Sequence, residues 1–212
     1  GNIRFGLTAI RNLGKNFIDS LVNERKNGPF VSFYDFCKRM NSKGLNSRAI
    51  ESLIKCGALD NLGANRRQML SAMKSILDEL EYDRRKNIMG QMSFFEVSDI
   101  KPDNSFEIEP MQEFELMELL YMEKEMAGMY LSGHPIDSYS EFISVTKADS
   151  LGDILDTESN RYADGSTVRL VCIVTKNKSQ ITKSNQMMAF VTIEDRYASA
   201  ELIVFPKVQG LP

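Results

Sequence analysis

Two short glycine-bounded turns each bring positive charge to the start of a helical stretch. The first is Ala9-Ile10-Arg11-Asn12-Leu13-Gly14-Lys15, and the second runs from Cys56 to Arg67 (CGALDNLGANRR). The first backbone N–H groups of a helix have no intrahelical acceptor and carry partial positive charge, so a phosphate can rest on them. Glycine lets a sugar–phosphate backbone come close. The residues this chemistry would use are Asn12, Leu13, Gly14 and Lys15 in the first turn. In the second they are Gly63, Asn65, Arg66 and Arg67. Asn12 stands where a glycine is expected before Leu13-Gly14, which makes the first turn the less secure of the two.

A second kind of chemistry is concentrated in Gln91-Met92-Ser93-Phe94-Phe95. Burying each phenylalanine would gain roughly 1.5–3 kcal/mol, so water disfavours leaving the pair exposed. Either the segment folds back on its own domain or it docks into another protein's groove. In the docking case Gln91 supplies an amide while Met92, Phe94 and Phe95 fill pockets. His134, the single histidine, has no Cys, Ser or carboxylate constellation near it and reads as a turn residue. Cys37, Cys56 and Cys172 are widely spaced and set among apolar residues, which suggests reduced thiols rather than disulfides or a metal site.

The elements that must position these groups change in kind along the 212 residues. In the first part, apolar spacing predicts a helix over 15–26 with Phe17, Ile18, Leu21 and Val22 inward, ended by Gly28-Pro29. Ser32 and Asp35 suggest a capping box for a helix to Met40, with Phe33, Phe36 and Cys37 inward. Asn46 caps a helix over 47–55 that Gly57 ends. A longer helix over about 64–85 carries Met69, Leu70, Met73, Ile76, Leu77 and Leu80. Helices entering and leaving the two turns follow the logic of paired helix-hairpin-helix elements, which hold duplex DNA by its backbone.

Residues 96–109 lack periodicity and read as a loop or mobile linker, followed by a helix from about Pro110 to Leu131. That helix is expected to pack through Phe114, Met117, Leu120, Tyr121 and Met129, and to stop at Gly133 and Pro135. From Val168 the period becomes two, with strands predicted over 168–174, 187–193 and 200–205. Lys176, Lys178 and Lys183 fall in the first intervening turn. This matches the opening half of an oligonucleotide-binding barrel, in which such a loop lies along single-stranded nucleic acid. A barrel needs five strands and three are offered. The fold class is therefore α+β: a mostly helical tandem helix-hairpin-helix domain, then a partial three-strand barrel. The expected divisions are 1–90, 91–109, 110–160 and 161–212.

Composition sets outer bounds. Hydrophobic residues at 42% and charged residues at 26% describe an ordinary soluble chain, with no apolar run long enough to span a bilayer and no secretory pattern at its start. The expectation is a cytoplasmic protein. A net charge of −3 conceals a partition: 1–90 carries +7, 91–160 carries −13 and 161–212 carries +3. The basic segments are the ones suited to phosphate.

The order of Phe5-Gly6-Leu7, Gly28-Pro29-Phe30, Asp35-Phe36-Cys37, Glu51-Ser52-Leu53-Ile54 with Gly57-Ala58, Gln91 to Phe95, Glu123-Lys124-Glu125, Tyr130 to Pro135 and Phe190 to Asp195 resembles the bacterial replicative DNA polymerase III alpha subunit. The resemblance covers nearly the whole chain, from the end of the fingers to within the oligonucleotide-binding domain. It implies that Gln91, Met92, Phe94 and Phe95 are the anchors of a docking site for the ring-shaped sliding clamp, with Phe94 replacing a commoner leucine. It also implies that the metal-binding catalytic acids, and the magnesium they hold, lie upstream. The segment itself is then expected to be non-catalytic and without cofactor. Its partners would be duplex DNA, the clamp and, through the barrel, single-stranded DNA, with neither a membrane nor a small-molecule substrate. A stand-alone helix-hairpin-helix repair module, or a protein-interaction module without clamp binding, is the alternative.

Overall fold

The computed structural model describes residues 6–88, 106–158 and 161–206. These fall into two units, Gly1–Ser132 and Gly133–Pro212. The partition differs from divisions at 90, 109 and 160: the helix after the linker belongs with the helical body, and residues 133–158 belong with the sheet.

The first unit is built from α1 (Lys15–Glu24), α2 (Phe33–Asn41), α3 (Ser47–Lys55), α4 (Arg66–Ile88) and α5 (Leu116–Ala127). Its core is the meeting of the apolar faces of α1 to α4, with Phe33, Phe36, Cys37, Met40, Ile50, Leu53, Ile54, Met69 and Ile76 nearly fully enclosed, while Met126 and Ala127 of α5 pack with Ile10 and Cys56. Caps fix the starts as the sequence suggests: the Ser32 hydroxyl accepts from the Asp35 N–H, and the Asn46 side chain accepts from the Ala49 N–H. Asp35 does not reach back to Ser32; its carboxylate accepts the Val31 N–H instead. Val22 lies half-exposed on α1, outside the inward stripe.

Helix α5 is much shorter than the predicted 110–131. The carbonyls of Glu109 and Met111, which a helix from Pro110 would need for its own first bonds, accept from the Gln68 and Asn65 side chains. The helix opens only at Leu116, where the Glu118 carboxylate accepts the Glu115 N–H, and closes at Gly128 in a left-handed conformation, φ 79°. Tyr121 and Met129 are exposed, against the predicted packing face; Leu120, Glu123 and Met126 face inward.

The second unit carries α6 (Ser140–Thr146), α7 (Leu151–Leu155) and an antiparallel sheet of β1 (Ile173–Ile181), β2 (Met187–Glu194) and β3 (Ser199–Val204), ordered β1-β2-β3. It is an open three-stranded sheet. The first strand lies later than the predicted 168–174. The Arg169 backbone is engaged elsewhere, its N–H donating to the Asp149 carboxylate and its carbonyl accepting from the Asp149 N–H. Polar residues take the ladder in their place, with Lys176 opposite Thr192 and Lys178 opposite Phe190 after a bulge at Val174/Lys176. An outer strand tolerates this, since charge along an edge resists further pairing.

Candidate nucleic-acid interface

The first hairpin is seated from below and open above. Asn12 adopts φ 63°, the left-handed conformation glycine would supply, and asparagine is among the few residues that enter it readily. Its amide donates to the Ser52 hydroxyl of α3 at 3.0 Å, and the neighbouring Arg11 N–H donates to the Met126 carbonyl at 2.9 Å. Leu13 packs against the core. Helix α1 then starts from Gly14 with no side chain capping it, while Arg11, Gly14, Lys15 and Asn16 are exposed. The asparagine therefore preserves the backbone geometry of the turn, and the helix start faces solvent with two cations beside it.

The second hairpin is arranged otherwise. Asn65 and Gln68 cap α4 reciprocally, the Asn65 side chain accepting the Gln68 N–H at 2.9 Å and the Gln68 side chain accepting the Asn65 N–H at 3.0 Å. The remaining N–H groups, of Arg66 and Arg67, donate to the two carboxylate oxygens of Glu113 at 2.9 and 3.1 Å. Burial works to raise the Glu113 pKa, but the N–H donors of Arg66, Phe114 and Arg67 together hold it below the usual carboxylate range. The anion position of this helix is filled by the chain itself.

Arg66 is 5% exposed, and its guanidinium is committed within the fold. It meets Asp60 at 2.8–2.9 Å, Glu123 at 3.0 Å and the Lys55 carbonyl at 3.2 Å, which leaves no face for a phosphate. Its partner Glu123 is 1% exposed and also accepts from the Leu131 N–H, the Ser132 N–H and the Ser132 hydroxyl at 2.8–2.9 Å. Burial raises the Glu123 pKa; the Ser132 and Leu131 donors and Arg66 outweigh it, so the carboxyl stays ionised below its ordinary range. Glu123 is thus a buried counterion rather than a solvated surface acid. Arg67 is partly exposed, its guanidinium 4.4 Å over the Phe114 ring. Gly63 is exposed at φ 81°.

The spacing of Leu120, Glu123 and Ala127 places the glutamate on an inward face, and Asn65-x-x-Gln68 is a readable cap; both signals stand in the sequence unread. No sequence signal marks Glu113 as a cap for a helix start 47 residues away.

The other predicted sites are dispersed. Lys176 and Lys178 are exposed on β1 rather than in a turn, two residues apart and so on one face, and Lys183 sits in the β1–β2 turn. Gln91, Met92, Phe94 and Phe95 lie outside the described residues. His134 acts as a turn residue: its Nδ1 accepts the Ile136 N–H, and its Nε2 lies 3.7 Å from Glu194. Cys37 is fully buried and burial pushes its thiol up to about 12. Among the described residues no cluster of His, Cys, Asp and Glu could hold a metal, and no helix is long and apolar enough to cross a membrane.

Both glycine-bounded hairpins lead into helices of the first unit, and residues 1–69 match the helix-hairpin-helix motif family. Nearly the whole chain aligns with DNA polymerase III subunit alpha: 33% identity over 96% of the chain with the protein of Borreliella burgdorferi, and 32% over 98% with that of Bacillus subtilis. A third relative of the same name, from Saccharopolyspora erythraea, is 32% identical over 97% of the chain. The chain is homologous to one segment of the DNA polymerase III alpha subunits. It spans about 18% of the length of these curated relatives.

Proposed function

We propose that this chain is the segment of a replicative DNA polymerase that holds the duplex and tethers the enzyme to its sliding clamp. The observation that carries the duplex reading is the uncapped start of α1 at Gly14, with exposed Arg11 and Lys15, inside the stretch that matches the helix-hairpin-helix family. Such a start binds phosphate without reading bases, as a polymerase that must move along any sequence requires. Clamp docking through Gln91, Met92, Phe94 and Phe95 rests on the sequence resemblance. Two modest contacts linked through one DNA molecule raise each other's effective concentration, and that is processivity. Exposed Lys176, Lys178 and Lys183 are the contribution of the second unit to single-stranded DNA, read as the start of an oligonucleotide-binding barrel.

The test is duplex binding by fluorescence anisotropy over a salt series. Each lost phosphate contact flattens the log–log slope by roughly 0.9, so R11E/K15E is expected to flatten it by about 1.8. An unchanged slope moves the DNA site elsewhere. Surface plasmon resonance with the clamp is expected to lose its signal for Q91A/F94A/F95A while duplex binding persists. Loss of both together would instead mark the pentapeptide as part of the core. K176E/K178E is expected to weaken oligo(dT) binding without changing duplex affinity.

A further inference from the structure

We propose that residues 106–115 form an autoinhibitory arm, with Glu113 standing where a DNA phosphate would sit on the second hairpin. The inference rests on the duplex-binding reading above and extends it to the inequality of the two hairpins.

The arm runs along α4 in the reverse direction, fastened at intervals. Phe106 stacks on Tyr34 with ring centroids 6.0 Å apart and planes 16° apart, and Ile108 packs against the core. Gln68 Nε2 donates to the Glu109 carbonyl at 3.0 Å, and Asn65 Nδ2 donates to the Met111 carbonyl at 2.7 Å. Phe114 lies beneath the Arg67 guanidinium. Between these anchors Glu113 spreads its two oxygens over two successive N–H groups, as two oxygens of a phosphate would. The residues under the arm, Asn65 to Gln68, fall within the stretch that matches the helix-hairpin-helix motif, and the duplex-binding reading above makes such a helix start a phosphate position.

The contact is local enough to be released. Rotation of the Glu113 side chain alone vacates both N–H groups, while the backbone anchors at Glu109 and Met111 can stay in place. A tethered carboxylate competes with phosphate at high effective concentration. The first hairpin is therefore the standing grip, and the second is recruited only when a phosphate displaces its own chain's acid. Glu107, Glu109, Glu113, Glu115 and Glu118 also set a general negative field along this edge, which any test must separate from occupation of the helix start.

Duplex anisotropy over a salt series, using the full chain, makes that separation. Glu113→Ala and Glu109→Ala each remove one negative charge, but only the first vacates the start of α4. E113A is expected to tighten duplex binding and steepen the log–log salt slope by about 0.9, one further phosphate, whereas E109A leaves the slope unchanged. Equal effects of the two variants, or none from E113A, overturn the proposal. If E113A proves unfolded in a thermal melt, Glu113→Gln decides: its amide can satisfy only one of the two N–H groups, so a smaller gain in affinity supports the arm and no gain sinks it. Binding by the unmodified chain that depends on Lys15, without a gain in E113A or E113Q, overturns the arm alone. Binding only once Glu113 is replaced supports the arm and overturns the primacy of the first hairpin. No binding by any variant overturns both readings.

Discussion

Replacing Arg66 with alanine should be among the most damaging single substitutions in the first unit, and it should act on stability rather than on DNA. The guanidinium is 5% exposed and bridges Asp60, Glu123 and the Lys55 carbonyl; removing it leaves the carboxylate of Glu123, 1% exposed, with its hydroxyl and backbone donors but without its countercharge. Breaking a buried pair from one side costs about 3–5 kcal/mol. Domains of this kind have only ~5–15 kcal/mol in total. With a urea m-value of roughly 2 kcal/mol/M, the midpoint followed by circular dichroism should fall by about 1.5–2.5 M. The R66A/E123A double variant should lose less than the two single losses combined, because each substitution removes the charge the other would strand. Wherever R66A remains folded, its duplex affinity and salt slope should match those of the unmodified chain. A midpoint shift under about 0.5 M, strict additivity, or a flattened salt slope would each refute the reasoning, and the last would return Arg66 to the interface.

Three other perturbations discriminate among local causes. Gly57 has φ 76°, and a Cβ there would run into the Arg66 guanidinium and Asp60, whereas Gly44 has φ 85° and open space. Gly44→Ala should therefore cost only the left-handed backbone penalty, about 1–2 kcal/mol, and Gly57→Ala distinctly more by urea unfolding. Asn12→Gly keeps the left-handed turn and loses one hydrogen bond, about 1 kcal/mol; Asn12→Ala adds the backbone penalty, and thermal melts should rank the two in that order. Glu24, held at about 2 from its ordinary 4.5 first by Lys43 and then by Arg39, binds a proton more tightly in the unfolded chain. Stability should thus decline as pH drops below 4.5 and go on declining through about 2, and an acid titration of E24Q should lack this component.

The helical body is legible in the sequence because local signals agree with the tertiary result there. Asn46 and Gly57 bracket α3 at the expected residues, and the Met69–Leu80 stripe of α4 is core, wholly or in part. The readings fail where a distant group settles a local question. Pro110 looks like a helix start, yet Asn65 and Gln68 take the carbonyls that helix would use. Arg66 looks like a phosphate ligand until Glu123, 57 residues later, arrives beside it. Lys176 and Lys178 look like turn residues because β1 is polar from Thr175 to Gln180, and only pairing with the β2 strand reveals it. Asn12 departs from the expected glycine in residue type, and only the fold shows that it takes the left-handed conformation a glycine would supply.

The distance in sequence between Arg66 and Glu123 also bears on synthesis. A nascent chain that has left the ribosome only as far as α4 holds a cation whose buried counterpart has yet to be made. At roughly 5–20 residues per second, that interval lasts several seconds. During it Arg66 has Asp60 and the Lys55 carbonyl within reach but not its most buried partner, and the α3 surface that α5 meets is uncovered. The Arg66 network is therefore complete only after the Glu123–Ser132 stretch has been translated, later than α1–α4.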